Sequence, residues 1–162
     1  MSRLGCLCGN GMSNSTAPSD SIAEIYSRDD FEKAMAVKME LIDLWDENQE
    51  YWYCQKCKRI TVIEWKTGLY VSSYSRKVLD APIQPEAIQN WQELLFWRDK
   101  EFYDAIEEKE HITVGDFLKL HPSRYLARVS PDKTTVHVFN PETQAYLFSY
   151  VLDSKPDFKE YE

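Results

Sequence analysis

The sequence predicts an α+β fold: antiparallel sheets, a few short helices, and a knuckle closed by four cysteines. Three observations carry this prediction. Short runs rich in Val, Ile, Tyr and Trp are separated by Gly, Pro, Asn and Asp turns. Two stretches open with a capping residue and acidic side chains, followed by apolar residues at helical spacing. The chain's 4 cysteines form two close pairs, Cys6/Cys8 and Cys54/Cys57.

Residues 9–20 are small, polar and turn-prone, and read as a loop leaving the first cysteine pair. Ser21 to Tyr26 alternates as a short strand, with Ile22, Glu24 and Tyr26 on one face and Ala23 and Ile25 on the other. Ser27 is placed to cap a helix whose first turn holds Asp29 and Asp30, acids suited to the positive end of the helix dipole. Phe31, Ala34 and Met35 form its apolar stripe. Residues 39–48 keep helical spacing at Leu41, Leu44 and Trp45 but are too few for more than a loop or a single turn. Glu50 to Tyr53 and Ile60 to Trp65 read as a hairpin with Cys54 and Cys57 at its tip. Both faces of its second strand are largely apolar, which calls for cover on both sides. Leu69 to Tyr74 follows as a third strand.

Residues 77–86 carry Pro82 and Pro85 and read as a connector. It divides an α+β half at 1–80, with the cysteines, from a second half at 81–162, the two expected to pack as one unit. Glu93 to Trp97 reads as a strand, and a helix capped by Asp99 follows. This repeats an earlier arrangement: an aromatic strand end, an Arg-Asp cap region and a helix opening on Phe occur around both Phe31 and Phe102. Capping chemistry alone would make two such turns look alike. A short helix is expected from Asp116 to His121, stopped by Pro122. Arg124 to Ser130, Thr134 to Phe139 and Ala145 to Leu152 then form a three-strand meander. Leu126, Val136, Val138, Leu147 and Val151 are its expected inward residues, and the tail from Asp153 is expected to fray.

The cysteines carry the chemistry. A Cys-x2-Cys turn supplies two thiolates from one bend, and tetrahedral zinc takes four such donors. Cys-x-Cys is a less standard arrangement, but Gly9 lets the backbone turn sharply after it. No cysteine is left over, and 45 residues lie between Cys8 and Cys54. One structural Zn2+ site at Cys6, Cys8, Cys54 and Cys57 is therefore the expected reading, with disulfides or buried free thiols as its alternatives. The N-terminus has no apolar signal-peptide core, which leaves disulfides unsupported and places the protein in the cytoplasm. No run approaches a membrane span.

With 27 acidic against 19 basic residues, the net charge is −8. That field opposes nucleic acid and favours a partner with a basic surface. No phosphate-binding glycine loop, no Gly-x-Ser-x-Gly and no His-Glu-x-x-His is present. His111, His121 and His137 stand apart from the cysteines and are expected to fill structural roles. A site with all four positions thiolate would have none left to activate water, so the expectation is no enzyme. The aromatics Tyr51, Trp52, Tyr53, Trp65 and Tyr70 crowd the knuckle, where they serve core packing or an interface.

The opening Arg-Leu-Gly-Cys-Leu-Cys-Gly-Asn-Gly-Met-Ser-Asn-Ser-Thr-Ala-Pro-Ser-Asp, the strand Ile-Ala-Glu-Ile-Tyr-Ser before an acidic helix, and Tyr-Trp-Tyr-Cys-Gln-Lys-Cys-Lys-Arg-Ile resemble small bacterial zinc-binding immunity proteins of polymorphic toxin systems. The resemblance covers mainly the first 75 residues. It implies zinc ligands at Cys6, Cys8, Cys54 and Cys57, a cytoplasmic location, no catalysis, and a cognate toxin as partner. The alternative is a zinc-ribbon module associated with nucleic acid, with Lys56, Lys58 and Arg59 as a local basic patch. A more remote alternative is an enzyme built on carboxylates such as Glu107, Glu108 and Asp116.

Overall fold

Eight antiparallel strands close into a barrel in the computed structural model of the chain, which describes residues 3–15, 18–46, 49–64, 66–80 and 83–153. Two four-strand meanders build it. The first comprises β3 (Ile22–Ser27), β4 (Gln49–Tyr53), β5 (Ile60–Glu64) and β6 (Tyr70–Lys77). The second comprises β7 (Gln92–Arg98), β8 (Leu126–Val129), β9 (Thr135–Phe139) and β10 (Tyr146–Leu152). They meet along two antiparallel seams, first strand against first strand (Ile25 opposite Phe96) and last against last (Arg76 opposite Tyr150). The sequence predicts sheets but not their closure. A small separate hairpin, β1 (Arg3–Gly5) with β2 (Gly11–Ser13), precedes the barrel. It corrects the expectation of a plain loop over residues 9–20, because three-residue strands leave no readable alternation.

Alternation along the strands divides the buried side chains into three groups. Inward residues such as Ile25, Ile60, Phe96, Val129, Val136 and Val138 fill the lumen. Outward residues of β3 and β7 lie under the helices α1 (Arg28–Ala36), α2 (Asp99–Glu108) and α3 (Val114–Leu120). There Phe31, Trp97, Phe102 and Phe117 are almost fully buried, and Phe102 meets Phe117 edge-on at 4.6 Å. Outward Trp52 and Ile63 pack with Ile22, Met12, Cys6 and Cys54 in a third group. The apolar second face of β5 thus has its cover: Ile60 and Val62 line the lumen, while Ile63 lies against the cysteine hairpins.

Ser27 caps α1 as expected, its hydroxyl accepting from the Asp30 N–H at 3.1 Å. Phe31 and Ala34 are buried and Met35 half-buried. Residues 41–46 form a 3-10 turn, Leu41–Asp46, with Leu41 and Leu44 buried. Asp99 does not cap α2. Arg98 holds that position, and its N–H donates back to the Glu101 carboxylate at 3.1 Å. Asp99 Oδ2 instead accepts from the Ser19 N–H at 2.8 Å. The third helix begins at Val114, capped by Thr113, earlier than the expected Asp116. In the second meander Val136 and Val138 are buried as expected, but Leu126, Leu147 and Val151 are only partly covered. Ala127, Val129, Ser149 and Tyr150 take the buried places. The Trp65 and Pro82 readings and the tail beyond Asp153 lie outside the described residues, as does the Trp45 side chain.

Candidate metal centre

Each cysteine pair sits in the turn of a hairpin. Between β1 and β2, the Cys6 N–H donates to the Asn10 carbonyl and the Gly9 N–H to the Cys6 carbonyl, both at 2.9 Å. Between β4 and β5, the Cys54 N–H donates to the Arg59 carbonyl at 3.0 Å and the Lys58 N–H to the Cys54 carbonyl at 2.8 Å. In both turns the residue after the second cysteine is left-handed, Gly9 at φ 87° and Lys58 at φ 65°. The glycine was legible as a turn requirement. The lysine adopts a conformation that costs an L-residue roughly 1 kcal/mol or more, held there by the turn it completes.

The two hairpins point their sulfurs at one place. Cys6 Sγ lies 3.4 Å from Cys57 Sγ, Cys8 Sγ lies 3.6 Å from Cys54 Sγ, and all four sulfurs fall within 4.8 Å of one another. Sulfur pairs bound as disulfides sit about 2.05 Å apart, and all four cysteines are free thiols. A tetrahedral ion with thiolate bonds of about 2.3 Å sets its sulfurs about 3.8 Å apart, so the four donors fit one such ion. Cys6 and Cys54 are buried and Cys8 and Cys57 partly exposed.

Burial works against charge on Cys54, yet the N–H groups of Cys57 and Lys56, the Cys57 thiol and the Asn10 amide converge on its sulfur and bring its pKa down to about 6. Burial pushes the Cys6 and Cys57 thiols up. One thiolate thus collects the local donors, and a soft cation is what would let the other sulfurs ionise beside it. Asn10, whose Nδ2 donates to Cys54 Sγ at 3.5 Å, is a contributor that sequence reasoning missed. Its position two residues beyond Cys8 is the signal that could have found it.

The knuckle aromatics divide by face. Trp52 is 2% exposed and packs beside Cys54, with Tyr70 against the same group, whereas Tyr51 and Tyr53 turn toward the lumen. Of the local basic residues, Arg59 is ion-paired with Asp153 at 3.2 Å, and Lys58 sits 5.7 Å over the Tyr53 ring.

The remaining candidates do not converge. His111 pairs with Glu40 at 3.2 Å on the surface. His121 stacks on Phe117 at 5.1 Å, and its carbonyl accepts from the Trp97 indole at 2.8 Å. His137 is buried between Trp91, stacked at 5.5 Å, and the Ser149 hydroxyl at 2.7 Å, and its burial lowers its pKa. Asp116 faces Lys109 at 3.8 Å, while Glu107 and Glu108 are exposed. Among the described residues, the four cysteines are the one group of three or more such side chains close enough to share a metal. No helix among them is long and apolar enough to cross a membrane.

A family model described as a domain of unknown function, DUF8617, matches residues 2–78, the stretch that carries both cysteine pairs and strands β1 to β6. No curated protein and no solved structure matches the chain.

Proposed function

We propose that this chain is a zinc-held binding protein of the cytoplasm that neutralises a cognate toxin by direct contact and performs no catalysis itself. The convergence of all four thiols within 4.8 Å is the observation that carries the zinc assignment. An all-sulfur tetrahedron favours zinc among the common divalent ions, and four protein ligands leave no position for water. The metal then serves folding, tying the N-terminal hairpin to the β4–β5 turn. The partner reading is supported by the resemblance of the first half to immunity proteins and by the charge of −8, which steers a basic surface inward and speeds association. The nucleic-acid alternative has less to draw on, since Arg59 of its basic patch is already paired with Asp153.

Metal content and partner binding test the two halves of the proposal separately. Purified protein is expected to carry about one zinc per chain. Cys54→Ser is expected to lose it and to melt at a lower temperature, as is the wild type after chelation. Absence of zinc, or an unchanged melt on removing it, would overturn the metal assignment. Co-expression with the product of the adjacent upstream gene tests the partner. A co-purifying complex and protected cells are expected; no complex and no protection would refute toxin neutralisation.

A further inference from the structure

The barrel's lumen is unevenly filled. Toward the end that carries the Cys54/Cys57 turn, the inward positions hold large rings packed edge to face: Phe96 on Tyr125 at 6.0 Å, Tyr125 on Phe148 at 5.6 Å, and Phe148 on Tyr150 at 5.5 Å. Arg76 completes this plug, its guanidinium 3.7 Å over Phe148 and donating to the Tyr150 hydroxyl at 3.0 Å. Toward the opposite end, where β3 finishes and β4 and β7 begin, shorter residues such as Val62, Ser72, Leu94, Val129 and Val136 share the wall with the Tyr51 and Tyr74 rings. There a cavity of about 370 Å³ remains, lined from all eight strands and by no cysteine. An eight-stranded barrel can be filled by side chains or hold one small ligand. Here the residues fill one end and leave the other open.

We infer that this cavity is a binding site for a small, uncharged amphipathic molecule. Its volume lies in the range of small-molecule sites, and its walls combine apolar and polar surface in comparable amounts. Val62, Leu94, Val129 and Val136 would cover an apolar or aromatic body, while Ser72 and Gln92 offer a hydroxyl and an amide to a hydrogen-bonding group. Among the lining residues only Asp30 and Lys133 carry charge, and those that the strands contribute carry none. Asp30 and Lys133, one of each sign, belong to the α1 start and the β8–β9 turn, outside the strands that form the wall. Arg76 is not among the lining residues and is already committed to the Tyr150 hydroxyl and the Phe148 ring. An ion held among the strand residues would therefore be desolvated with no opposite charge beside it. The site is separate from the cysteine centre and does not depend on the toxin reading.

Fluorescence titration of the intact protein with N-phenyl-1-naphthylamine, an uncharged probe with one N–H, tests the site. The expected result is saturable enhancement at one site per chain. Ser72→Phe, which places a ring in the chamber, is expected to weaken it at least tenfold without lowering the melting temperature. The anionic analogue 8-anilino-1-naphthalenesulfonate is expected to bind at least tenfold more weakly than the neutral probe. Non-saturable emission, equal binding by a folded Ser72→Phe, or tighter binding of the anion would overturn the inference. Should that variant fail to fold, amide chemical shifts of the wild type decide. Probe-induced shifts centred on Val62, Leu94 and Val129 would uphold the site, and shifts confined elsewhere would refute it.

Discussion

Asn10 shows what a single side chain outside the ligand set can do. Its amide reaches Cys54 Sγ at 3.5 Å, and that sulfur is the one whose pKa falls to about 6. A donor to a ligating thiolate fixes the sulfur's orientation and shares its charge, and losing such a partner typically costs ten- to a hundredfold in metal affinity. Asn10→Ala is therefore expected to weaken zinc binding by about tenfold or more in chelator competition while leaving the stoichiometry unchanged. Asp99 presents the opposite situation, a carboxylate whose ionisation its burial disfavours. Burial raises its pKa against the Ser19 N–H and the neighbouring Glu24 side chain, which lower it. The folded state thus holds this proton to higher pH than the unfolded chain, and stability falls as pH climbs from the ordinary carboxylate range through the raised value. Asp99→Asn can still accept from Ser19 and carries no charge. Its melting temperature is expected to exceed the wild type's at neutral pH, with the gain shrinking as the pH is lowered and Asp99 protonates. A pH series of melts checks both the sign and the convergence. At this scale the cysteines were legible because their chemistry depends on residue type and spacing. Asn10 and Asp99 were not, because their partners Cys54 and Ser19 lie 44 and 80 residues away.

Among the elements, the strand-to-helix units β3–α1 and β7–α2 show how a sequence pattern can be right in kind and wrong in register. The shared Arg-Asp of Arg28-Asp29 and Arg98-Asp99 suggested a repeat, but the caps do not coincide, since Ser27 caps α1 and Arg98 caps α2. Counted from the helix starts, Phe31 and Phe102 are each the fourth residue and Ala34 and Ala105 each the seventh. All four are buried in the same helical layer. The helices are alike in the face they bury rather than in the residues that cap them. Phe102 is the more enclosed of the two rings, fully buried against Tyr26, Trp97 and Phe117 at centroid distances of 5.8, 5.6 and 4.6 Å. Phe102→Ala is expected to cost about 3–5 kcal/mol, as a large-to-small change in a core that cannot collapse freely. Met35→Ala, at a half-buried place on α1, should cost clearly less. Urea midpoints of the two variants test this, and equal losses would contradict the layer as described. The β1–β2 hairpin escaped the sequence reading for a related reason. Its pairing of Arg3 with Ser13 through Gly5 with Gly11 rests on three residues a side, and the Cys6/Cys8 turn supports it more than any strand propensity does.

At the scale of the whole molecule, closure of the barrel is the property that no local pattern carries. Each meander was visible as alternating runs with turns between them, but the seams join strands roughly 70 residues apart in sequence, Ile25 with Phe96 and Arg76 with Tyr150. Pairings at that separation are specified by the fit of two finished sheets and by the side chains that fill the enclosed lumen, not by the residues of either strand alone. The seams also fix how the molecule depends on its parts. The segment matched by the family model, residues 2–78, contains the four clustered cysteines and the four strands of the first meander, and it lacks β7 and β10. In that segment β3 and β6 become open edges, and the lumen residues Ile25, Ile60 and Val62 lose the facing sheet that covers them. Unpaired edges beside an apolar face recruit another chain. Because the native seams pair first strand with first and last with last, both antiparallel, a second copy of the segment can approach with the same symmetry. The isolated segment, with zinc bound, is expected to sediment as a dimer or larger species at micromolar concentration, whereas the full chain with both seams closed has no such edge to offer. A monodisperse, cooperatively melting monomer of residues 2–78 would show that the first meander is stable without the second, and that the seams do not carry the fold.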